Sequence, residues 1–267
     1  MLHKREVDLR RESLTEIRAI LGGMKSLSTI EAHKLGRYTT AQHRVCASVT
    51  AAVEDFLRHH PLPLPSVAAQ DIWLVIGTER GFCGPLNDSL IAALEKSVEG
   101  AAVIAVGSRL SARMQDIDCR QLTGASVADE ITAVLQSIVE ALYAMRTEHG
   151  LPRLQALYHL PTRSDPVRTR ILPPPRVSRR AAPVVGYAPW LNVSPPEFLA
   201  DLIDHYVFST LHGILFDALL CEHLARIEHL NAAVQRLDDK LEELKRIGDR
   251  LRQEEITEEI EIMLLGG

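Results

Sequence analysis

The sequence predicts an α/β protein whose long N- and C-terminal helices pair as an antiparallel coiled coil, with a small α/β domain between them. Three observations carry this. Proline is absent from residues 6–58 and again after Pro196, and both stretches repeat apolar residues every three or four positions, the period of an amphipathic helix. Between them, short apolar runs alternate with helical patterns, which implies βαβ units and a parallel sheet. The ends also differ in charge. Residues 1–60 hold ten Lys/Arg against seven Asp/Glu, and residues 195–267 hold seven against sixteen. The two ends either pair with each other or present solvated helix faces.

In the first zone, residues 1–60, the row Leu14, Ile17, Leu21 and Met24 has helical spacing. Pro61, Pro63 and Pro65 end this helix. Some fifty helical residues span about 75 Å, too long for a compact domain of this size. Gly22-Gly23 interrupts it, at a cost of about 2 kcal/mol in helix propensity. Either the second helix crosses closely there or the pair marks a bend.

The middle zone, residues 61–193, reads as a Rossmann-like domain followed by a basic connection. Strands are expected at 71–76, 102–106 and 154–159, and helices at 86–98, 108–115 and 127–146. The stretch 161–196 contains nine prolines and the arginines Arg163, Arg168, Arg170, Arg176, Arg179 and Arg180. It reads as a loop-rich connection with a strand or two. The last zone, residues 194–267, opens with Ser194-Pro195-Pro196-Glu197, a capping box with proline at the first helical position. Ile227, Leu230, Val234, Leu237, Leu241 and Leu244 then follow at 3-4-3-4-3 spacing, with Gly248 and Leu251 continuing the seam. This is a coiled-coil pattern.

Composition narrows function. Of 267 residues, 46% are hydrophobic, 24% charged and only 4% aromatic, which suits a helical core of Leu, Ile, Val and Ala. The net charge of −5 has no concentrated basic footprint, so no nucleic-acid partner is expected. Cys46, Cys83, Cys119 and Cys221 stand far apart and read as reduced thiols rather than disulfides or a zinc site. The N-terminus has neither the apolar stretch of a signal peptide nor transit-peptide character. Asp201, Asp204, His205, His212 and Asp217 interrupt the apolar stretch 198–220, so no direct membrane insertion is expected.

The segment Ile76–Asn87, IGTERGFCGPLN, lies where nucleotide-binding loops lie. Its glycines fit neither the dinucleotide fingerprint nor the P-loop, and no Lys-Ser/Thr follows. Glycines turning the chain from strand into helix are the better reading. His59-His60 and Cys221-Glu222-His223 are the nearest histidine clusters, but adjacent helical residues diverge too far to share an ion. No catalytic residue, metal or cofactor is expected.

These segments together resemble the γ subunits of F-type ATP synthases. IGTERGFCGPLN is similar to the family's T-S-D-R-G-L-C-G-G-L-N, and Cys221–Ile227 to its S-E-x-x-A-R-M. Arg252-Gln253 with Ile256, Thr257 and Glu259 is similar to R-Q-x-x-I-T-x-E, and Met24-Lys25 to the family's A-M-K. The chain departs at Gly23, at Pro85, at Ile262 (acidic in the family) and at Gly267 (alanine in the family), as in a divergent branch.

The resemblance implies a non-catalytic central-stalk rotor that couples proton or sodium flow to ATP synthesis or hydrolysis. Its implied partners are the α and β subunits of the catalytic ring, the ε subunit and the ring of c subunits. Its implied place is peripheral, at the cytoplasmic face of a bacterial plasma membrane. Matched position by position, Met24, Lys25, Arg252, Gln253 and Thr257 fall where the family's shaft meets β. Ile260, Ile262, Met263, Leu264 and Leu265 fall in an apolar bearing. A nucleotide-dependent α/β enzyme dimerised by its terminal helices is the alternative, with a coiled-coil scaffold as a third reading.

Overall fold

A computed structural model describes residues 4–60, 62, 67–96, 100–145, 151–174 and 190–265. Two helices dominate: α1 (Lys4–His59) and α5 (Pro195–Leu265). Between them in the chain come β1 (Val67–Ile76), α2 (Leu86–Glu95), β2 (Ala102–Val106), α3 (Ser108–Ser111) and β3 (Arg120–Leu122). A 3-10 turn (Ala128–Glu130), α4 (Ile131–Ala144), β4 (Leu151–Tyr158) and β5 (Val167–Arg170) follow. The chain divides into two compact units. One is Glu31–Ala225, and the other joins Met1–Ile30 to Arg226–Gly267.

In Glu31–Ala225 the strands form one sheet in the order β3-β2-β1-β4-β5, parallel except for β5 against β4. Strand alternation splits the core into two layers. Trp73, Val75, Val103, Ala105 and Leu157 point to α2 and α3, where they meet Leu90, Leu94, Leu110 and Met114. Ile72, Leu74, Ile104, Val106 and Leu154 point the other way, to Ile131, Leu135 and Ile138 of α4, Val53 and Phe56 of α1, and Ile203 and Leu215 of α5. Each buried Val, Leu, Ile, Phe or Met among these contributes about 1.5–3 kcal/mol. α5 is the one described helix long and apolar enough to cross a membrane by composition, but 61% of its apolar window is buried inside the protein. Its apolar face is occupied by packing.

Within this unit α1 and α5 run antiparallel. Tyr38 packs on Phe216, His43 bonds Asp217 at 3.0 Å, Cys46 Sγ donates to the Ser209 carbonyl at 3.0 Å, and Phe56 packs on Phe198. In the other unit Lys4 pairs with Glu255 at 2.8 Å, Arg18 with Asp238, and Lys25 donates to Asn231 Oδ1 at 2.8 Å. Here too numbers rise on one helix as they fall on the other. The Arg18 guanidinium holds the Asp238 carboxyl below its usual range, chiefly through the hydrogen bond, against an opposing desolvation and with a smaller contribution from charge. On α5 the residues at 227, 230, 234, 237, 241, 244, 248 and 251 are buried or half-buried while their neighbours are mostly exposed. This is the seam read from the sequence.

Several expectations are refined. Leu14, Leu21 and Met24 are half-buried, but Ile17 is exposed, because the inward row of α1 continues through polar Lys25 and Ser28 instead. Helix 108–115 is one turn, Ser108–Ser111, and helix 127–146 begins as a 3-10 turn before α4. The third strand starts earlier, at Leu151. The short β3 has a weak pattern of two exposed residues and one half-buried one and was not expected. At the start of α5, Ser194 Oγ and N–H both donate to Glu197 Oε2, at 2.8 and 3.3 Å, which forms the glutamate half of the capping box. Arg163, Arg168 and Arg170 are described; Arg176, Arg179 and Arg180 lie outside the described residues. Arg168 stacks over Trp73, 4.4 Å from the ring centroid.

Candidate functional site

The loop after β1 is built by close approach. A Cβ on Gly77 would stand 2.6 Å from Leu110 Cβ, and one on Gly107 would stand 2.8 Å from the Thr78 carbonyl oxygen. Gly84 has φ +62, a conformation glycine adopts without steric cost. Buried Asn87 accepts the Thr78 N–H at 3.0 Å and donates to the Thr78 hydroxyl at 2.9 Å. The glycines turn strand into helix, as the sequence reading favoured.

The carboxyl edge of a parallel sheet is where doubly wound proteins bind anionic ligands, on free amides and helix N-termini. Here two of the chain's own carboxylates hold those amides. Glu222 of α5, only 3% exposed, accepts the Glu79 N–H on one oxygen and the Arg80 N–H on the other, both at 3.0 Å. Glu79 in turn accepts the Ser108 N–H at 2.8 Å, the Ser108 hydroxyl at 2.8 Å and the Gly124 N–H at 2.7 Å. Beside them, His223 Nε2 meets the Ser126 carbonyl at 3.2 Å and Arg80 Nε donates to Ser126 Oγ at 3.0 Å. From α1, Glu31 accepts the Ala128 N–H at 3.3 Å and Lys34 pairs with Asp129 at 2.8 Å.

Sequence reasoning missed this joint, although its two halves are the segments IGTERGFCGPLN and CEHLARI. The signal was Glu222 directly after the run 214–221, which is apolar except for Asp217, since a carboxylate on a helix face bound for the core implies a buried partner. No group of three or more His, Cys, Asp or Glu among the described residues suits a metal. None of the four cysteines forms a disulfide. Burial pushes the Cys221 thiol up to about 11, with Glu222 and Asp217 adding to the shift.

The residues assigned from the resemblance occupy two levels of the helix pair. Met24 is half-buried and Lys25 is tied to Asn231. Arg252, Gln253 and Thr257 are exposed, about 30 Å farther along α5 at 1.5 Å per residue. The structure does not bring the two sets together. Thr257 Oγ1 donates to the Gln253 carbonyl at 2.9 Å, while Arg252 pairs with neither Glu255 nor Glu259. Ile260, Ile262, Met263, Leu264 and Leu265 are all exposed, Leu265 at 88%. A Cβ on Gly22 or Gly23 would meet nothing within 4 Å, so close helix crossing does not explain that pair.

Paired terminal helices and a mostly parallel sheet, whose carboxyl edge is held by the chain's own carboxylates, define the class: an α/β protein built around helix pairing. The family model described as ATP synthase matches residues 3–264, and the chain belongs to that family. The ATP synthase gamma chains of Mycoplasmoides gallisepticum and Exiguobacterium sibiricum are 21% and 23% identical. Each alignment covers all of this chain and 99% or 98% of the relative. In fold, the chain resembles a rotor chain of the Euglena gracilis mitochondrial ATP synthase. The TM-score is 0.61 at 14% identity, covering 95% of this chain and 98% of that one.

Proposed function

We propose that this chain is the central-stalk rotor of an F-type ATP synthase, the role of a γ chain, and that it carries no catalytic site of its own. The observation that carries the reading is the family match, which runs through both long helices and the sheet. The partners are the α and β subunits around the helix pair, with ε and the c ring at the membrane side. Coupling works by differential contact: a shaft with unlike faces favours a different state in each surrounding subunit as it turns. Such unlike faces exist in the unit that holds the chain termini. α1 exposes Ile20, Leu27 and Ile30, whereas α5 exposes Arg236, Asp239, Lys240, Glu242 and Glu243.

An ATP synthase is a membrane-associated complex, and the chain is a peripheral part of it. We assign it to the cytoplasmic face of a bacterial plasma membrane, an assignment supported by its bacterial relatives. The coupling ion, proton or sodium, is selected by other subunits.

Arg252, Gln253 and Thr257, with Met24 and Lys25, are the proposed contacts to β, and the apolar end 260–265 is the proposed bearing. The exposure of Arg252 and Gln253 leaves a five-donor guanidinium and a carboxamide for carboxylates or carbonyls of a partner loop. The test is to reconstitute the complex with Arg252→Ala and Gln253→Ala together. Slowed ATP turnover with the helix pair intact is expected; unchanged assembly and turnover would return these residues to a solvated face.

A further inference from the structure

Neither long helix runs directly into the sheet. α1 ends at His59 and β1 begins at Val67, while β5 ends at Arg170 and α5 begins at Pro195. A twisting force between sheet and helix therefore passes through the contacts between them as well as along the chain. Apolar packing is strong but non-directional and lets a helix face slide. Hydrogen bonds weaken steeply when misaligned and resist sliding. Side chains that tie the loops at the sheet's carboxyl edge to the helices include Glu222 and His223 from α5, and Glu31 and Lys34 from α1.

Glu222 stands apart in this set. Its carboxylate is buried, and each oxygen takes a separate main-chain amide at 3.0 Å. Charge-assisted bonds of this kind are about twice as strong as neutral ones. Their donors are main-chain amides, so the grip does not depend on which side chains the loop carries. The gripped loop is itself braced, since Glu79 ties it to Ser108 and Gly124 after β2 and β3. A load on the sheet therefore converges on one position of a helix that continues unbroken to Leu265.

We propose that Glu222 is a positioning residue for coupling: it keys the sheet's carboxyl edge to α5, so that sheet and helix turn together under load. This rests on the rotor reading. Glu222→Gln keeps the side chain's volume but replaces one accepting oxygen with an NH2 group, leaving one amide facing a donor. Two readouts test it. Hydrogen exchange on the full-length chain should show the amide of Glu79 or Arg80 exchanging at least tenfold faster. In proteoliposomes holding the complete synthase, ions pumped per ATP hydrolysed should fall at least twofold against an opposing gradient, and less without one. Unchanged exchange, or an unchanged ratio despite faster exchange, overturns the proposal.

If Glu222→Gln does not fold, Glu222→Asp keeps the charge but shortens the reach to the Glu79 and Arg80 amides. The ratio should again fall under load, and an unchanged ratio overturns the proposal. A wild-type chain that does not assemble into a pumping complex refutes the rotor reading instead.

Discussion

Gly248 of α5 lies opposite Val7 of α1: a Cβ added to Gly248 would stand 3.8 Å from Val7 Cγ1, ordinary contact distance. Val7 is only 1% exposed, so the position is a packed seam position with its side chain missing. Alanine there relieves a helix-propensity cost of about 1 kcal/mol without a clash. Gly248→Ala should raise the melting temperature of the isolated chain by about 2–4 °C, read by circular dichroism. A lower melting temperature would show that this stretch of seam is packed differently.

Gly77 predicts the opposite. Its added Cβ would lie 2.6 Å from Leu110 Cβ and 2.7 Å from Asn87 Oδ1, so Gly77→Ala should destabilise by about 1–3 kcal/mol. Denaturant unfolding monitored at Trp73 measures this; a change within error would mean the loop relaxes freely.

His159 makes stability depend on pH. It is buried, and its Nε2 lies 2.9 Å from Ser89 Oγ and 3.1 Å from the Leu86 carbonyl. Burial lowers its pKa below the ordinary 6.5, outweighing the opposing effects of the Leu86 carbonyl and Asp165. A lowered folded-state value means that the unfolded chain binds the proton first. The contribution is therefore present above pH 6.5 and lost as pH falls through the folded-state value. Wild type should lose stability on acidification below 6.5 more steeply than His159→Gln, and parallel profiles would contradict this.

Along the α5 seam, cost should track burial. Leu230 is fully buried and Leu241 half-buried. Leu230→Ala should cost about 2–5 kcal/mol in the isolated chain, and Leu241→Ala distinctly less, as chemical denaturation will show. Equal costs would mean that the seam is packed to the same depth at both positions.

What was legible in the sequence follows from period and length. The α5 seam spans eight positions in strict 3-4 alternation, and α1 and α5 each lack internal proline, so both helices could be read almost to the residue. β3 offered three residues and no apolar alternation, too little signal for any period. Ile17 looked like a seam residue because it is apolar, yet the true inward row includes buried Ser28 and half-buried Lys25, whose ammonium is met by Asn231 of the partner helix. The joint at the sheet edge was hidden for a different reason. Glu222 and Glu79 are 143 residues apart, and side chains that bond main-chain amides leave no complementary residue type to search for.

A central-stalk rotor turns inside its complex. The direct measurement fixes the catalytic ring to a surface, attaches a bead to the sheet-bearing part of this chain, and supplies ATP. Steady rotation of the bead in one direction, dependent on ATP, is the predicted result. A ring that hydrolyses ATP while this chain stays still would contradict a rotor role.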